Sequence, residues 1–217
     1  VPKIPNKTPR LVKKIFPKYI WDFCHISENK IYLTFDDGPI PVITEFVLEQ
    51  LNRYNAKATF FCIGDNIKKH PKVFNSILSQ GHAIGNHTTN HLKAWKSDHD
   101  TYIQNVIECE EIIKKHSTSN QNTQKLFRPP YGQISHSKFK TLENLGYQTI
   151  LWDVLSKDWE LSTSPEECYQ NVIESVRPGS IIVFHDSIKA SKNLTVTLPK
   201  VLEYFTNRGF VFEAIEL

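Results

Sequence analysis

Two adjacent carboxylates, Asp36 and Asp37, follow the apolar run Ile31-Tyr32-Leu33 and precede Gly38-Pro39. Neighbouring carboxylates at the end of a buried strand repel one another unless a cation or a proton intervenes. The same chain carries His87-Thr88-Thr89-Asn90-His91. One carboxylate with two histidines makes a divalent-metal site with open positions, and such an ion lowers the pKa of a water it holds. If residues 87–91 turn helically, both rings face one way and can share an ion with Asp37. Asp36 is then left for proton transfer; a second metal ligand or a turn cap is its alternative role.

Arg128-Pro129-Pro130-Tyr131-Gly132 offers a fixed cation on a loop stiffened by two prolines, with a glycine that permits a sharp turn. Arg128 can hold Asp36 ionised, since a neighbouring cation lowers a carboxylate's pKa; taken alone, an arginine before Pro-Pro is more often a surface ion pair. His185 closes the apolar run Ile181-Ile182-Val183-Phe184. A partner carboxylate such as Asp158 raises a histidine's pKa and keeps it protonated for acid work, which an amine leaving group requires. A structural histidine is the other reading. Trp152 and Val183 would supply an apolar wall, and Trp159 either packs in the core or stacks on a sugar.

These residues need elements to position them. Strands are predicted over 31–35, 58–62, 82–86, 126–128, 147–152, 180–184 and 210–215, from short β-branched and aromatic runs. Between most of them lie helical spacings: Val42, Phe46, Val47 and Leu51; Val73, Ile77 and Leu78; Ile103, Val106, Ile107 and Ile113. Phe139, Leu142 and Leu145 mark a further helix, as do Val172, Ile173 and Val176, and finally Leu198, Val201, Leu202 and Phe205. Gly81, Gly146 and Gly209 stand where helix C-caps belong, and Ser164-Pro165 reads as an N-cap and first helical residue. This alternation means parallel strands with right-handed crossovers, as an open doubly wound sheet or an incomplete barrel. In either, ligands bind at the carboxyl ends of the strands. Asp36, Asp37, His87, Arg128, Trp152, Asp153 and His185 are all expected at that rim.

At 217 residues and 40% hydrophobic content the chain suits one large domain. No apolar stretch reaches the length of a membrane span, and a net charge of +3 argues against nucleic acid as a partner. Lys3, Lys7, Arg10, Lys13, Lys14 and Lys18 cluster near the start, as a solvated terminus or a contact for an anionic surface. Cys24, Cys62, Cys109 and Cys168 match no zinc ribbon or redox pair, and Cys62 reads as a buried thiol. Residues 116–125 read as a polar surface loop. No signal peptide is visible.

Thr-Phe-Asp-Asp-Gly-Pro at 34–39, His-Thr-x-x-His at 87–91, Arg-Pro-Pro-Tyr-Gly at 128–132, Asp158-Trp159 and Val183-Phe184-His185 occur in that order. Together they resemble the five motifs of the polysaccharide deacetylases (carbohydrate esterase family four, the NodB homology domain). The resemblance runs from about residue 30 to the C-terminus. It implies a distorted, incomplete (β/α) barrel of about seven parallel strands over 30–217. Residues 1–29 form an extension, in which Leu11, Ile15 and Phe16 suggest a short amphipathic helix packed on the barrel.

Members of the family remove acetyl groups from N-acetylated sugars of chitin, chitooligosaccharides or peptidoglycan, and some cleave O-acetyl groups from xylan. The resemblance implies Asp36 as general base, and Asp37, His87 and His91 as ligands of a metal, usually zinc, with cobalt or another divalent ion as substitutes. It implies Arg128 as the group orienting Asp36, and the Tyr131 backbone N–H as an oxyanion donor. Trp152 and Val183 would line the acetyl-methyl pocket, and His185 would be the general acid tuned by Asp158. Two positions depart from the family pattern: Leu155 stands where an aspartate is usual, and Val183 where leucine is usual. The second widens the methyl pocket at a cost of about 1 kcal/mol or less.

The function expected is metal-dependent N-deacetylation of an N-acetylglucosamine-containing polysaccharide, with O-acetyl esterase action on xylan as the alternative. An iron oxygenase also uses two histidines and a carboxylate but gives no reason for Asp36 or Arg128. A sugar-binding module with a vestigial site would not need the full set. The expected partner is an acetylated polysaccharide or oligosaccharide, with no protein partner, and that substrate class favours the cell envelope or secretion.

Overall fold

In the computed structural model, residues 5–25, 28–117 and 124–217 are described. Lys3 and the centre of the polar loop 116–125 lie outside them. Seven parallel strands run side by side, and an eighth short one adds to the first. They are β1 (Lys30–Asp36), β2 (Ala58–Cys62), β3 (Ala83–Asn86), β4 (Leu126–Phe127), β5 (Gln148–Thr149), β6 (Val154–Leu155), β7 (Ile181–His185) and β8 (Val211–Phe212). The order across the sheet is β5-β4-β3-β2-β1-β7-β6, with β8 beside β1. The sheet curls into an incomplete barrel, the one of the two architectures allowed by the alternation that the family resemblance implies.

Period-two alternation along β1 sorts its side chains. Ile31, Leu33 and Phe35 face outward into the main core, with Val47, Leu51, Phe74, Leu198 and Leu202 from the surrounding helices. The helices after β1 are α2 (Ile43–Arg53), α3 (Gly64–Lys69), α4 (Pro71–Ser79), α5 (His99–His116), α6 (His136–Asn144), α7 (Pro165–Ile173) and α8 (Ser191–Thr206). Tyr32, Thr34 and Asp36 take the other face. Tyr32 joins Phe61, Leu126, Ile150 and Ile181 in an inner apolar cluster, and Asp36 stands two residues above Thr34 at the carboxyl end. The inner face therefore grades from apolar to charged towards the rim. The Ser164 hydroxyl accepts from the Glu167 N–H and Pro165 opens α7, as the sequence predicts. Gly81, Gly146 and Gly209 end helices at φ between 76 and 84°.

Between the two edge strands, β5 and β6, the N-terminal segment fills the seam. The Ile20 N–H donates to the Thr149 carbonyl (2.9 Å) and the Leu151 N–H to Ile20 (2.8 Å). On the β6 side, the Thr8 N–H donates to Asp153 (2.8 Å) and the Leu155 N–H to Asn6 (2.7 Å). The short helix α1 (Arg10–Ile15) does form. The apolar side chains expected to pack, however, point to solvent: Leu11 is 68% exposed, Ile15 60% and the following Phe16 47%. The segment is held instead by backbone hydrogen bonds, by Tyr19 edge-on to Phe139 at 4.6 Å, and by the Lys13 ammonium between Asp22 and Asp153.

Two expectations are corrected. The predicted strand 147–152 splits: only Gln148–Thr149 pairs with β4, and a separate β6 starts at Val154. Asp153 therefore precedes a strand rather than ending one. Its N–H donates to the Ile181 carbonyl at the start of β7, and its buried carboxylate meets Lys13 and the Ser180 hydroxyl (2.6 Å). Asp153 belongs to the opposite end of the barrel from Asp36.

Candidate active site

Asp36 and His185 are lateral neighbours at the ends of β1 and β7. Asp37 follows at the first loop position with φ 83°. His87 follows β3, and its N–H donates to the Cys62 carbonyl at the end of β2 (3.0 Å). Residues 87–91 are not helical. Thr88 and His91 take left-handed conformations at φ 66° and 58°, and side chains hold the loop. Asn86 Oδ1 accepts the Thr88 N–H (2.8 Å), Asn105 Oδ1 the Thr89 N–H (2.9 Å), and the Thr88 hydroxyl the Leu92 N–H (3.0 Å). The loop still brings the two rings to a centroid separation of 5.1 Å.

Asp37 Oδ1 lies 3.4 Å from His91 Nε2 and 3.8 Å from His87 Nε2. The three ligating atoms lie within 4.8 Å of one another. That Asp37 oxygen is buried and has no hydrogen-bond partner among the described residues. An orphaned buried carboxylate oxygen is costly. Tetrahedral zinc bonds of roughly 2.0–2.2 Å place neighbouring ligand atoms about 3.3 Å apart, so the donor set and its spacing fit a divalent ion. His87 Nδ1 is 2.7 Å from the Arg128 carbonyl. A carbonyl only accepts, so Nδ1 carries the proton and Nε2 keeps its lone pair for a metal. Burial and the adjacent His87 push His91 down to about 4, so its ring is neutral near pH 7, the form that ligates.

Arg128 is fully buried, not on the surface. Its Nη1 donates to Asp36 Oδ1 and to the Thr34 hydroxyl, each at 2.7 Å. Nε and Nη2 donate to the carbonyls of Ile150 (3.1 Å) and Leu151 (2.9 Å), and the guanidinium stacks on Phe61 at 4.1 Å. Burial opposes ionisation of Asp36, yet Arg128, His87 and His185 together hold its carboxyl below the usual range. One oxygen is taken by Arg128; the other is left for the cavity.

His185 Nδ1 lies 2.9 Å from Asp158 Oδ1, and the His185 N–H donates to Asp158 Oδ2 at 2.7 Å. Burial works against the imidazolium, but Asp158, with Asp37 and Asp36 behind it, raises His185 to about 9. Burial likewise pushes the adjacent Asp186 up to about 8, against hydrogen bonds from Thr44 and Gly38 that favour its ionised form.

Asp36, Asp37, His87, His91 and His185 line one cavity of about 410 Å³, in which Tyr131, Gly132, Trp152 and Val183 also take part, within the range of small-molecule sites; Arg128 and Asp158 stand behind Asp36 and His185. Tyr131 is left-handed at φ 61° and packs its half-exposed ring 4.7 Å from His91. A Cβ on Gly132 would come within 2.3 Å of the Trp152 ring, so the bare glycine lets the indole form the wall. Ten site residues named from sequence thus meet in one place; Asp153 does not. Sequence reasoning missed Leu155, Gln133, Ser187 and Lys189 as lining. It also left Trp159 undecided, whose ring lies 4.8 Å from His185 at the cavity. Its position next to Asp158 was the available signal.

Fold and site together define a curled parallel α/β barrel with an Asp-His-His group and a second, arginine-held carboxylate at its carboxyl rim. Residues 25–150 match the family model described as polysaccharide deacetylase. The chain is 34% identical over 191 residues to a peptidoglycan-N-acetylglucosamine deacetylase of Bacillus cereus, covering 87% of each. It is 36% identical over 163 residues to a chitooligosaccharide deacetylase of Azorhizobium caulinodans, covering 74% of this chain and 75% of that one. Among solved structures, a peptidoglycan N-acetylglucosamine deacetylase in complex with a substituted N-oxidanyl-benzamide superposes with a TM-score of 0.86 at 30% identity. That match covers 96% of this chain and 95% of the other. The chain belongs to the polysaccharide deacetylase family.

Proposed function

We propose that the protein is a metal-dependent deacetylase that removes the N-acetyl group from N-acetylglucosamine units of a polysaccharide, peptidoglycan or chitooligosaccharide, and releases acetate. The observation that carries this is the unpartnered Asp37 oxygen facing His87 and His91, with Asp36 separately held by Arg128. Zinc or a similar divalent ion, bound by Asp37, His87 and His91, would supply a Lewis acid that polarises the acetamide carbonyl and acidifies water.

The chain's own groups do the rest. Asp36 accepts the proton of the attacking water; Arg128 keeps it ionised and pointed. The Tyr131 backbone N–H donates to the oxyanion that develops as water adds to the carbonyl. Trp152 and Val183 hold the acetyl methyl. His185, its Nδ1–H tied to Asp158, gives its Nε2 proton to the departing nitrogen as the C–N bond breaks, leaving a free amine and acetate. An imidazole whose protonation Asp158 favours suits an amine leaving group better than an ester alcohol, which departs without such help.

Acetate release tests the reading. Zinc-loaded protein is expected to deacetylate chitooligosaccharide or peptidoglycan in preference to acetylated xylan, and chelated protein to do neither. Release from xylan alone would overturn the amide assignment.

A further inference from the structure

Asp37 is held from both sides by side chains that the proposed mechanism does not use. Its φ of 83° is one that L-residues rarely adopt. Such a backbone persists only where its surroundings over-determine it. The peptide plane before Asp37 is tied by the Asp186 N–H, which donates to the Asp36 carbonyl (3.1 Å). The plane after it is tied at both poles. Asn66 Nδ2 donates to the Asp37 carbonyl (2.7 Å), and the Gly38 N–H donates to Asp186 Oδ1 (3.0 Å).

Asp186 is itself fixed. It is fully buried, and its Oδ2 accepts from the Thr44 hydroxyl (2.6 Å), which in turn accepts the Ile40 N–H (2.8 Å). The fit is tight: a Cβ on Gly38 would fall 1.9 Å from Asp186 Oδ2. With both flanking planes pinned, only the side-chain torsions of Asp37 stay free to aim its carboxylate.

We propose that Asn66 and Asp186 are positioning residues that clamp the Asp37–Gly38 peptide and so preset the Asp37 carboxylate against His87 and His91. The proposal rests on the reading of Asp37, His87 and His91 as metal ligands. A turn held only for folding would need neither the amide of Asn66 on the Asp37 carbonyl nor a buried carboxylate on the next N–H. Partners that orient metal ligands typically contribute about 10–100-fold to affinity.

The experiment is a zinc titration of apo protein against a competing chelator, with apo melting curves in parallel. Asn66→Leu keeps the γ-branched shape and removes the donor. It is expected to weaken zinc binding about 10–100-fold while the apo melting point changes little. Asp186→Leu should do at least as much, whereas Asp186→Asn keeps an acceptor for the Gly38 N–H and should stay within about threefold of wild type. If Asp186→Leu fails to fold, Asn66→Leu decides. Wild-type zinc affinity in Asn66→Leu, with His87→Ala impaired, would overturn the clamp and leave the metal site standing. Undiminished affinity in His87→Ala would instead overturn the metal reading and the clamp with it.

Discussion

At the residue scale the site works by separating two adjacent carboxylates. Asp36 is 4% exposed and carries a guanidinium 2.7 Å away; Asp37 faces imidazoles and has one oxygen without a hydrogen-bond partner among the described residues. Neighbours in sequence thereby acquire different chemistry. Asp36→Asn is expected to abolish turnover yet bind zinc with unit stoichiometry, whereas His87→Ala loses both; metal analysis beside an acetate assay checks the pair. For His185 the sign is set by Asp158, which raises the folded pKa to about 9 from 6.5. The ring is thus protonated below that value and loses its proton as pH rises through it. Removing the carboxylate in Asp158→Asn should lower the His185 pKa and move the alkaline limb of kcat/KM to lower pH. An unmoved limb would assign that limb to another group. A bound divalent ion also disfavours the imidazolium, so the limb in metal-loaded enzyme lies below 9. Most of these residues were legible because they sit where apolar runs end. Asn66 was not, since its role is to bond a backbone carbonyl 29 positions away, which no local pattern encodes.

At the scale of elements, β1, β2 and β7 were readable because each is an uninterrupted β-branched and aromatic run buried on both faces. The run 147–152 misled for a physical reason. Its later backbone groups bond elsewhere: the Leu151 N–H goes to Ile20, and the carbonyls of Ile150 and Leu151 go to Arg128. The chain leaves β4 and rejoins the sheet beside β7, so one apolar run serves two edges. The helical turn considered for the histidine loop does not form, and left-handed Thr88 and His91 carry no mark in non-glycine side chains. The seam itself makes a prediction. Ile20→Pro deletes the donor to Thr149 and strains the acceptor of Leu151. It should destabilise by about 1–3 kcal/mol, or roughly 3–10 °C in melting temperature. A melting point within about 1 °C of wild type would mean that the N-terminal segment lies on the seam without supporting it.

At the scale of the molecule, the curled sheet is a device for grading polarity. Its interior is apolar around Tyr32, Phe61 and Ile181, and charged where Arg128 meets Asp36. Ion pairs that would be costly on their own are assembled where a ligand can complete them. The opposite end has a separate ionic cluster, Lys13 with Asp22 and Asp153, which ties the N-terminal segment to the barrel and leaves the rim free for substrate. The proposed function requires above all that Asp37, His87 and His91 grip one ion while Asp36 stands outside its ligand set. Anomalous diffraction at the zinc absorption edge, from crystals grown with zinc, tests it most directly. A single strong peak is expected at the rim, roughly 2.0–2.2 Å from Asp37 Oδ1, His87 Nε2 and His91 Nε2, with Asp36 still on Arg128. No peak there, or one ligated by Asp36 in place of Asp37, would contradict it.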